Sequence, residues 1–294
     1  MTAAVLVGHY VPGTPQWHTA RRDGLGGSEI AAVMGLSPFE SRFSIWHRKR
    51  GQIGPVADND VMYWGRALEH VIAEEFGHRH PELTLTPSGM WRNRERPYQL
   101  GQPDRLVGDD ILEVKTARYD DEWGDPGTDV IPVYYRAQCL WYLDCLAAKR
   151  CHVAVLITGS DYREYLVEYD QADALAMRAA AAEFMADLRA GRRPDIDEHS
   201  ATYEAVRELH PDIEPRSVEL PAPVALAYLD ALATAKDAAD AKRAASARVI
   251  DAMGNAHKAT HLGAVIATRA VRGEGAPHLR AANGAADQQR SAAA

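Results

Sequence analysis

Residues 101–116 read Gly-Gln-Pro-Asp-Arg-Leu-Val-Gly-Asp-Asp-Ile-Leu-Glu-Val-Lys-Thr, and this stretch decides the fold. Apolar residues on either side of the Gly-Asp-Asp triplet are typical of two strands joined by a tight turn. Successive side chains on a strand point to opposite faces, so Glu113 and Lys115 share one face and Val114 takes the other. Because the turn folds the chain back, we expect Asp104 alongside Glu113. Two carboxylates and an ammonium then meet on one exposed patch of a sheet.

Oxygen ligands of this kind suit Mg²⁺, which commonly takes one or two carboxylates and keeps waters that a substrate phosphate displaces. Lys115 is then placed to orient an attacking water or to stabilise the charge that builds on phosphorus. An exposed hairpin with a surface ion pair explains the same residues, because the pattern is short. Features elsewhere in the chain favour the metal site over that simpler interpretation.

Three polar features supply further candidates for such a site. Glu69 lies at the margin of the apolar stripe of a helix predicted over 59–80, where it is able to reach inward as a third carboxylate. Gln138 precedes an apolar helical run, and a polar group among core positions usually has a specific partner. Arg21 and Ser28 flank a Gly-Gly pair at a helix N-terminus, where guanidinium, hydroxyl and backbone N–H groups make a phosphate site.

The surrounding pattern predicts a mixed α/β (α+β) domain over residues 1–195. Helical periodicity and end signals, with Ser28 as an N-cap, predict helices over 28–34, 42–50, 59–80, 133–146 and 172–190. Period-two alternation predicts strands over 83–86, 98–107, 111–116, 151–158 and 162–169.

The remaining third of the chain has a different composition. Residues 196–222 are rich in Pro, Asp and Glu and are predicted to be a linker. An Ala-rich helical region with a short strand is predicted over 223–272, and we interpret it as an accessory element that contacts DNA or a partner. Residues 273–294 lack periodicity and are predicted to be a disordered tail.

Composition narrows the class of protein. The chain has 294 residues and a net charge of −8, but arginine supplies most of its 33 cations, and a local basic face matters more for phosphate binding than the sum. Three cysteines are too few for a disulfide framework, which predicts a reducing compartment. The N-terminus lacks a basic stretch followed by an apolar one, and no apolar run is long enough to span a bilayer. We therefore expect a cytoplasmic protein without membrane contact.

Five motifs together resemble one family, the YqaJ-type viral recombinases, relatives of the phage lambda-type alkaline exonucleases in the PD-(D/E)xK nuclease superfamily. The resemblance covers about residues 15–190. The motifs, in chain order, are Trp17-His18 with Arg21 and Gly26-Gly27-Ser28-Glu29-Ile30-Ala31; Trp64-Gly65-Arg66-Ala67-Leu68-Glu69; Gly101-Gln102-Pro103-Asp104; Leu112-Glu113-Val114-Lys115-Thr116; and Tyr135-Arg136-Ala137-Gln138.

The resemblance implies a restriction-endonuclease-like core, with a mixed central sheet flanked by helices and a C-terminal helical extension. It implies an Mg²⁺-dependent exonuclease, with Mn²⁺ as a substitute ion, that digests linear double-stranded DNA from 5′ to 3′. The 3′ overhang would serve a single-strand annealing protein in phage-type homologous recombination. A homotrimer is also implied, and a phage- or prophage-encoded protein would work in the bacterial host cytoplasm.

The same resemblance assigns roles to particular residues. The implied metal ligands are Asp104, Glu113, the carbonyl of Val114, and Glu69. Lys115 would act on the nucleophilic water and Gln138 would order the site. The implied 5′-phosphate ligands are Arg21 and Ser28.

Two other functions use the same fold. A PD-(D/E)xK endonuclease or nickase would cut a covalently closed circle, whereas an end-dependent exonuclease would leave it intact. A non-catalytic module that binds DNA ends would have no need of the Asp104, Glu113 and Lys115 set.

Overall fold

The structure, a computed structural model, describes residues 3–271, 273, 275–282 and 284–285. The chain divides into two units, Met1–Ile213 and Glu214–Ala294. The first contains, in chain order, β1 (Ala4–Gly8), α1 (Pro15–Arg21), α2 (Gly27–Val33), α3 (Arg42–Lys49), α4 (Asp60–Arg79), β2 (Leu85–Pro87), β3 (Met90–Asn93), β4 (Leu100–Gly101), β5 (Arg105–Val107), β6 (Asp110–Ala117), α5 (Val133–Leu146), β7 (Arg150–Ile157), β8 (Asp161–Glu168), α6 (Gln171–Ala190) and α7 (Ser200–Leu209). The second contains α8 (Ala222–Met253), β9 (Lys258–His261), β10 (Ala264–Ala270) and β11 (His278–Ala281).

A five-stranded mixed sheet, in the order β2-β5-β6-β7-β8, forms the centre of the first unit. Only β6 and β7 run parallel among its neighbouring strands. A parallel pair needs a crossover connection, and α5 supplies it. This architecture confirms the predicted mixed sheet flanked by helices.

The two faces of the sheet pack against different helices. Ile111 of β6 belongs to the large buried cluster that includes the apolar side chains of α5, α2 and α6. Leu112 and Val114 belong to a second cluster with Ile72 and Phe76 of α4. Glu113 follows the alternation of Ile111 and therefore lies on the α5 face, as the period of a strand requires. That face is covered by α5, so the patch is buried and the prediction of an exposed one is wrong.

One predicted strand is broken in two. The strand predicted over 98–107 runs through Pro103, but proline has no N–H to give to a ladder, and the pairing ends there. β4, before the break, pairs with β3 in a three-stranded sheet of order β1-β3-β4. β5, after the break, pairs with β6 in the large sheet. Asp104 therefore lies where the chain crosses between two sheets.

The boundary of the first unit lies later than predicted. The predicted linker over 196–222 contains α7, which packs on α3 through Phe43, Ala205 and Ile53. The Thr202 hydroxyl also donates to the Ser41 hydroxyl at 2.7 Å, and both groups are buried. The helix therefore belongs to the first unit, and the linker prediction is wrong for this segment.

The second unit has its own secondary structure. α8 is a single helix of 32 residues with no buried residue, and β9, β10 and β11 form an antiparallel sheet. The strand β11 falls within the stretch predicted to be disordered, 273–294, so that prediction is wrong for 278–281. Residues 274, 283 and 286–294 of the predicted tail lie outside the described residues.

Among the residues described, none of the helices combines the length and the apolar character that crossing a lipid bilayer requires.

Candidate active site

Asp104, Glu113 and Lys115 come together at the start of the crossover. The residue after Asp104, Arg105, pairs in register with Leu112, so the strand pairing places Asp104 beside Glu113. Oδ2 of Asp104 accepts the backbone N–H of Val114 at 2.7 Å. Nζ of Lys115 lies 2.6 Å from Oε1 of Glu113. The predicted meeting of two acids and a lysine is therefore what the hairpin geometry produces.

Gln138 of α5 closes the site from above the sheet. Its Nε2 donates to Oε1 of Glu113 at 2.5 Å and its Oε1 accepts from Nζ of Lys115 at 3.2 Å. The amide therefore bridges the acid and the base and fixes both side chains. Tyr142, one helical turn later, accepts a further bond from Gln138 at 3.2 Å. The ring of Tyr135 lies under the ammonium of Lys115, 4.7 Å from Nζ to the ring centroid.

The charges at this site are poorly solvated and strongly coupled. Burial, together with the charges of Glu113 and Glu69, raises the pKa of Asp104 well above its ordinary value. Burial also raises the pKa of Glu113, although Lys115 opposes the shift. Burial acts against the charge on Lys115, but the two acids outweigh it and raise its pKa. The lysine is a firmly held ammonium, and the two carboxylates lack enough positive charge to balance them.

One oxygen of Glu113 has no partner. Oε1 accepts from both Lys115 and Gln138, whereas Oε2 is buried and finds no donor among the described residues. An unpaired buried carboxylate oxygen is costly, and a bound cation removes that cost. Within the described residues no three His, Cys, Asp or Glu side chains gather to hold a metal. Two acids, Asp104 and Glu113, do lie together here, and a pair of carboxylates fits an ion such as Mg²⁺, which commonly takes one or two carboxylates and keeps several waters.

Glu69 does not join the two acids directly. Its Oε1 accepts from the guanidinium of Arg105 at 2.8 Å, and the same nitrogen donates to the backbone carbonyl of Asp104 at 2.6 Å. Glu69 is near enough to affect the pKa values of Asp104 and Glu113. The metal-ligand roles of Glu69 and of the Val114 carbonyl stay predictions. Arg105 was not predicted, because its importance lies in a contact with a helix 36 residues earlier in the chain.

Arg21 and Ser28, the predicted phosphate ligands, are in contact. The guanidinium of Arg21 donates to the hydroxyl of Ser28 at 3.1 Å and lies 3.1 Å from Oε2 of Glu29. It also stacks on the indole of Trp17, 4.2 Å from the ring centroid. The expectation that Ser28 caps α2 is wrong, since Gly26 occupies the N-cap position and the carboxylate of Glu29 accepts its N–H. The Ser28 hydroxyl is consequently available for another role.

A buried lysine that was not predicted completes this cluster. Nζ of Lys49 lies 2.7 Å from Oε1 of Glu29 and donates to the carbonyl of Arg21 at 2.8 Å. Burial acts to raise the pKa of Glu29, but Arg21 and Lys49 outweigh it and lower the pKa to about 2. Glu29 therefore stays ionised and holds Arg21 in place. No local sequence pattern identifies Lys49, because its partners belong to other helices.

The cluster around Arg21 and Ser28 lies next to the cluster of Asp104, Glu113 and Lys115. A Cβ atom added to Gly27 would lie 2.5 Å from Cε1 of Tyr142 and 2.9 Å from Cγ of Gln138. Only glycine allows the start of α2 to approach the residues that hold Glu113 so closely. On the other side, the indole N–H of Trp17 donates to Oε1 of Gln102 at 3.0 Å, next to the Pro-Asp segment. The two groups of residues form one continuous site.

Comparison with known proteins shows the family of this chain. The family model of the YqaJ-like viral recombinase domain matches residues 16–160. The YqaJ protein of Bacillus subtilis (strain 168) is 30% identical over 221 residues, which are 72% of this chain and 68% of that protein. The chain belongs to the YqaJ family.

Solved structures show the same fold as this YqaJ-family chain. The alkaline exonuclease LHK-Exo of Laribacter hongkongensis matches with a TM-score of 0.52 and 20% identity, over 61% of this chain and 94% of that one. The same exonuclease in complex with dAMP matches with a TM-score of 0.51 and 21% identity, over the same shares of the two chains. The family and the fold predicted from the five motifs are both confirmed.

Proposed function

We propose that this protein is a metal-dependent deoxyribonuclease, an exonuclease that digests linear double-stranded DNA from 5′ to 3′ and leaves 3′ overhangs. The observation that carries the proposal is the unpaired Oε2 of Glu113, which lies beside Asp104 in a buried site that also holds a lysine. A surface ion pair would not leave a buried carboxylate oxygen without a partner. The chain shares its fold with LHK-Exo, an alkaline exonuclease, and this likeness supports the same activity.

The protein residues have distinct duties in hydrolysis. Asp104 and Glu113, with the carbonyl of Val114 and with Glu69 nearby, would hold Mg²⁺ or Mn²⁺. When bound, such an ion would supply positive charge to the phosphate and would activate water for attack. Lys115, fixed from three sides by Glu113, Gln138 and Tyr135, presents its ammonium to the attacking water and to the charge that develops on phosphorus. The amide of Gln138 accepts from that ammonium and fixes its position.

Recognition of a strand end is supported by the neighbouring cluster. Arg21 and Ser28 together offer a guanidinium and a hydroxyl to a terminal 5′-phosphate, and they lie next to the acids across Gly27. A site that binds a terminal 5′-phosphate favours an exonuclease over an endonuclease, because only a strand end carries that group. Membership of the YqaJ family, rather than a contact in the structure, supports two further proposals: a single-strand annealing protein takes the overhang, and the chain works as a homo-oligomer, a trimer by family resemblance.

The test uses linear and covalently closed circular duplex DNA with strand-specific end labels, with Mg²⁺, with Mn²⁺ and with a chelator. We expect mononucleotides from linear DNA only, metal dependence, and faster release from the 5′-phosphorylated strand. Relaxation of the circle would instead indicate a nickase or endonuclease. DNA-end binding without hydrolysis would indicate a non-catalytic module.

The catalytic assignment has a matched pair of variants. Lys115→Ala should slow hydrolysis by about 100-fold or more, since it removes one fixed donor to developing charge. Lys149→Ala removes an exposed lysine of the same unit and should leave the rate unchanged. Equal rates for the two variants would refute the role of Lys115.

A further inference from the structure

Three aromatic rings run from the candidate active site to the surface. Nζ of Lys115 lies over Tyr135, the ring of Tyr135 lies 4.4 Å from that of Tyr134, and Tyr134 meets Phe39 edge to face at 5.3 Å. The side of Phe39 that is not against Tyr134 faces solvent, and the residue is 64% exposed. The row is therefore a short apolar path that begins at the catalytic ammonium and ends on an open ring.

The backbone that carries the exposed ring is held in place by hydrogen bonds. The hydroxyl of Ser37 accepts the backbone N–H groups of both Phe39 and Glu40, at 3.1 and 3.2 Å. The carbonyl of Ser37 is bonded to the ring of His199 at 3.0 Å, and Ser41 caps the helix that follows. A loop bonded at both of its sides presents Phe39 with little conformational freedom. Aromatic side chains on rigid supports are well suited to binding, because little entropy is lost on contact.

The charges around the row select its occupant. The hydroxyl of Tyr134 donates to Oε2 of Glu122 at 3.2 Å, and Asp121 precedes that acid in the same exposed loop. Asp120, one residue earlier, is paired with Arg163 at 3.2 Å. A phosphate placed here would be repelled. A flat, uncharged ring next to a bound phosphodiester is compatible with both the acids and the aromatic face, and a nucleobase has these properties.

We propose that Phe39, backed by Tyr134, stacks on a nucleobase of the strand whose phosphodiester lies beside Lys115. This inference rests on the proposed function and adds a binding subsite to it. Stacking on an aromatic side chain tolerates every base, because every base presents a π face. Such a contact suits an enzyme that must advance along any sequence.

The experiment combines Phe39→Ala and Phe39→Trp with two substrates, an ordinary 5′-phosphorylated duplex and one with abasic residues at the first two positions of the digested strand. Tyr203→Ala, which removes an equally exposed aromatic ring on α7, is the control. Phe39→Ala should raise KM on the ordinary duplex by about 10-fold with kcat nearly unchanged, and Phe39→Trp should restore it. On the abasic duplex the wild type should show the raised KM, and Phe39→Ala should add nothing to it.

Other outcomes overturn the proposal. A Phe39→Ala variant that equals wild type on ordinary DNA, or that loses the same factor on both substrates, would show that no base stacks there. A KM of Phe39→Ala that differs from that of the wild type only when an annealing protein is present would assign the ring to a protein partner. If wild type cleaves no linear DNA, the proposed nuclease function fails with it, whereas an active enzyme indifferent to Phe39 refutes only the subsite.

Discussion

The two carboxylate oxygens of Glu113 have different surroundings. Oε1 accepts from Lys115 and Gln138, whereas Oε2 is buried without a donor among the described residues. In Asp104, Oδ2 accepts the Val114 N–H. Each acid is therefore oriented through one oxygen, as expected for metal ligands with ordered outer contacts.

Replacement of Asp104 separates metal binding from folding. The raised pKa means that the folded state disfavours the carboxylate, so the free energy of unfolding of the metal-free protein should fall as pH rises from about 4 toward the folded pKa. Asp104→Asn keeps an oxygen for the Val114 N–H and removes the charge. We expect it to abolish hydrolysis, to raise the metal-free melting temperature at pH 7, and to flatten this pH dependence, measured by calorimetry with chelator. Asp109→Asn, at the exposed turn, should do none of these; a destabilised Asp104→Asn would contradict the electrostatic account.

Gln138 is a positioning residue in this scheme. Gln138→Met fills the space against Gly27 without bridging Glu113 and Lys115, and should lower kcat by about 10- to 100-fold, as losses of ordered outer contacts do. Titration of the rate with Mg²⁺ should give a higher half-saturating Mg²⁺ concentration than the wild type, which a purely structural defect would not produce. Gln171→Met, at the exposed start of α6, is the matched control. Wild-type kinetics for Gln138→Met would remove the bridging role.

At the scale of elements, the sequence pattern predicted those helices and strands whose formation depends on neighbouring residues in the chain. The helix over 133–146 was predicted with its observed bounds, since a long apolar helical run is a strong signal. The strands β1 and β3 were missed because they are short and pair Ala4 with Asn93, a contact without a local signature. The break at Pro103 was missed because apolar residues lie on both sides of it, at Leu100 and at Leu106. The meeting of Asp104, Glu113 and Lys115 was predictable from strand period and turn, whereas Lys49 and Arg105 act through partners far away in sequence.

Helices α1, α2 and α3 are joined through one buried acid. Glu29 links Arg21 to Lys49, and its pKa of about 2 lies below the ordinary 4.5. A depressed pKa contributes stability above about pH 4.5 that is lost as pH falls toward 2. Glu29→Gln should therefore lower the free energy of unfolding by about 3 kcal/mol at pH 7, with the difference narrowing below pH 4.5. Urea titrations from pH 7 to 3 measure this, and a difference that does not change with pH would exclude the ion pairs as its cause.

At the scale of the whole molecule, the boundary after 213 separates the site from the accessory region. Every candidate site residue and all three buried clusters lie in the first unit. The predicted boundary at 195 would have removed α7 from α3, because the contacts of Ala205 with Phe43 cannot be seen in a Pro-rich stretch. The predicted DNA- or partner-contacting role of the second unit stays a prediction. Its sheet does place the exposed cations Lys258 and Arg280 in register with Thr268, on one face.

Truncation after Ile213 tests this division of labour. The shortened chain should melt cooperatively and hydrolyse linear DNA with a kcat close to that of the full chain, since it keeps the site and the core. Its affinity for duplex ends should fall, and the slope of log Kd against log salt should decrease by about 2 if Lys258 and Arg280 each contact a phosphate. The full-length double variant Lys258→Ala/Arg280→Ala should reproduce that change in slope with an unchanged melting temperature. An unchanged slope in both proteins would assign the second unit to a partner other than DNA, and an unfolded truncated chain would show that the two units depend on each other for stability.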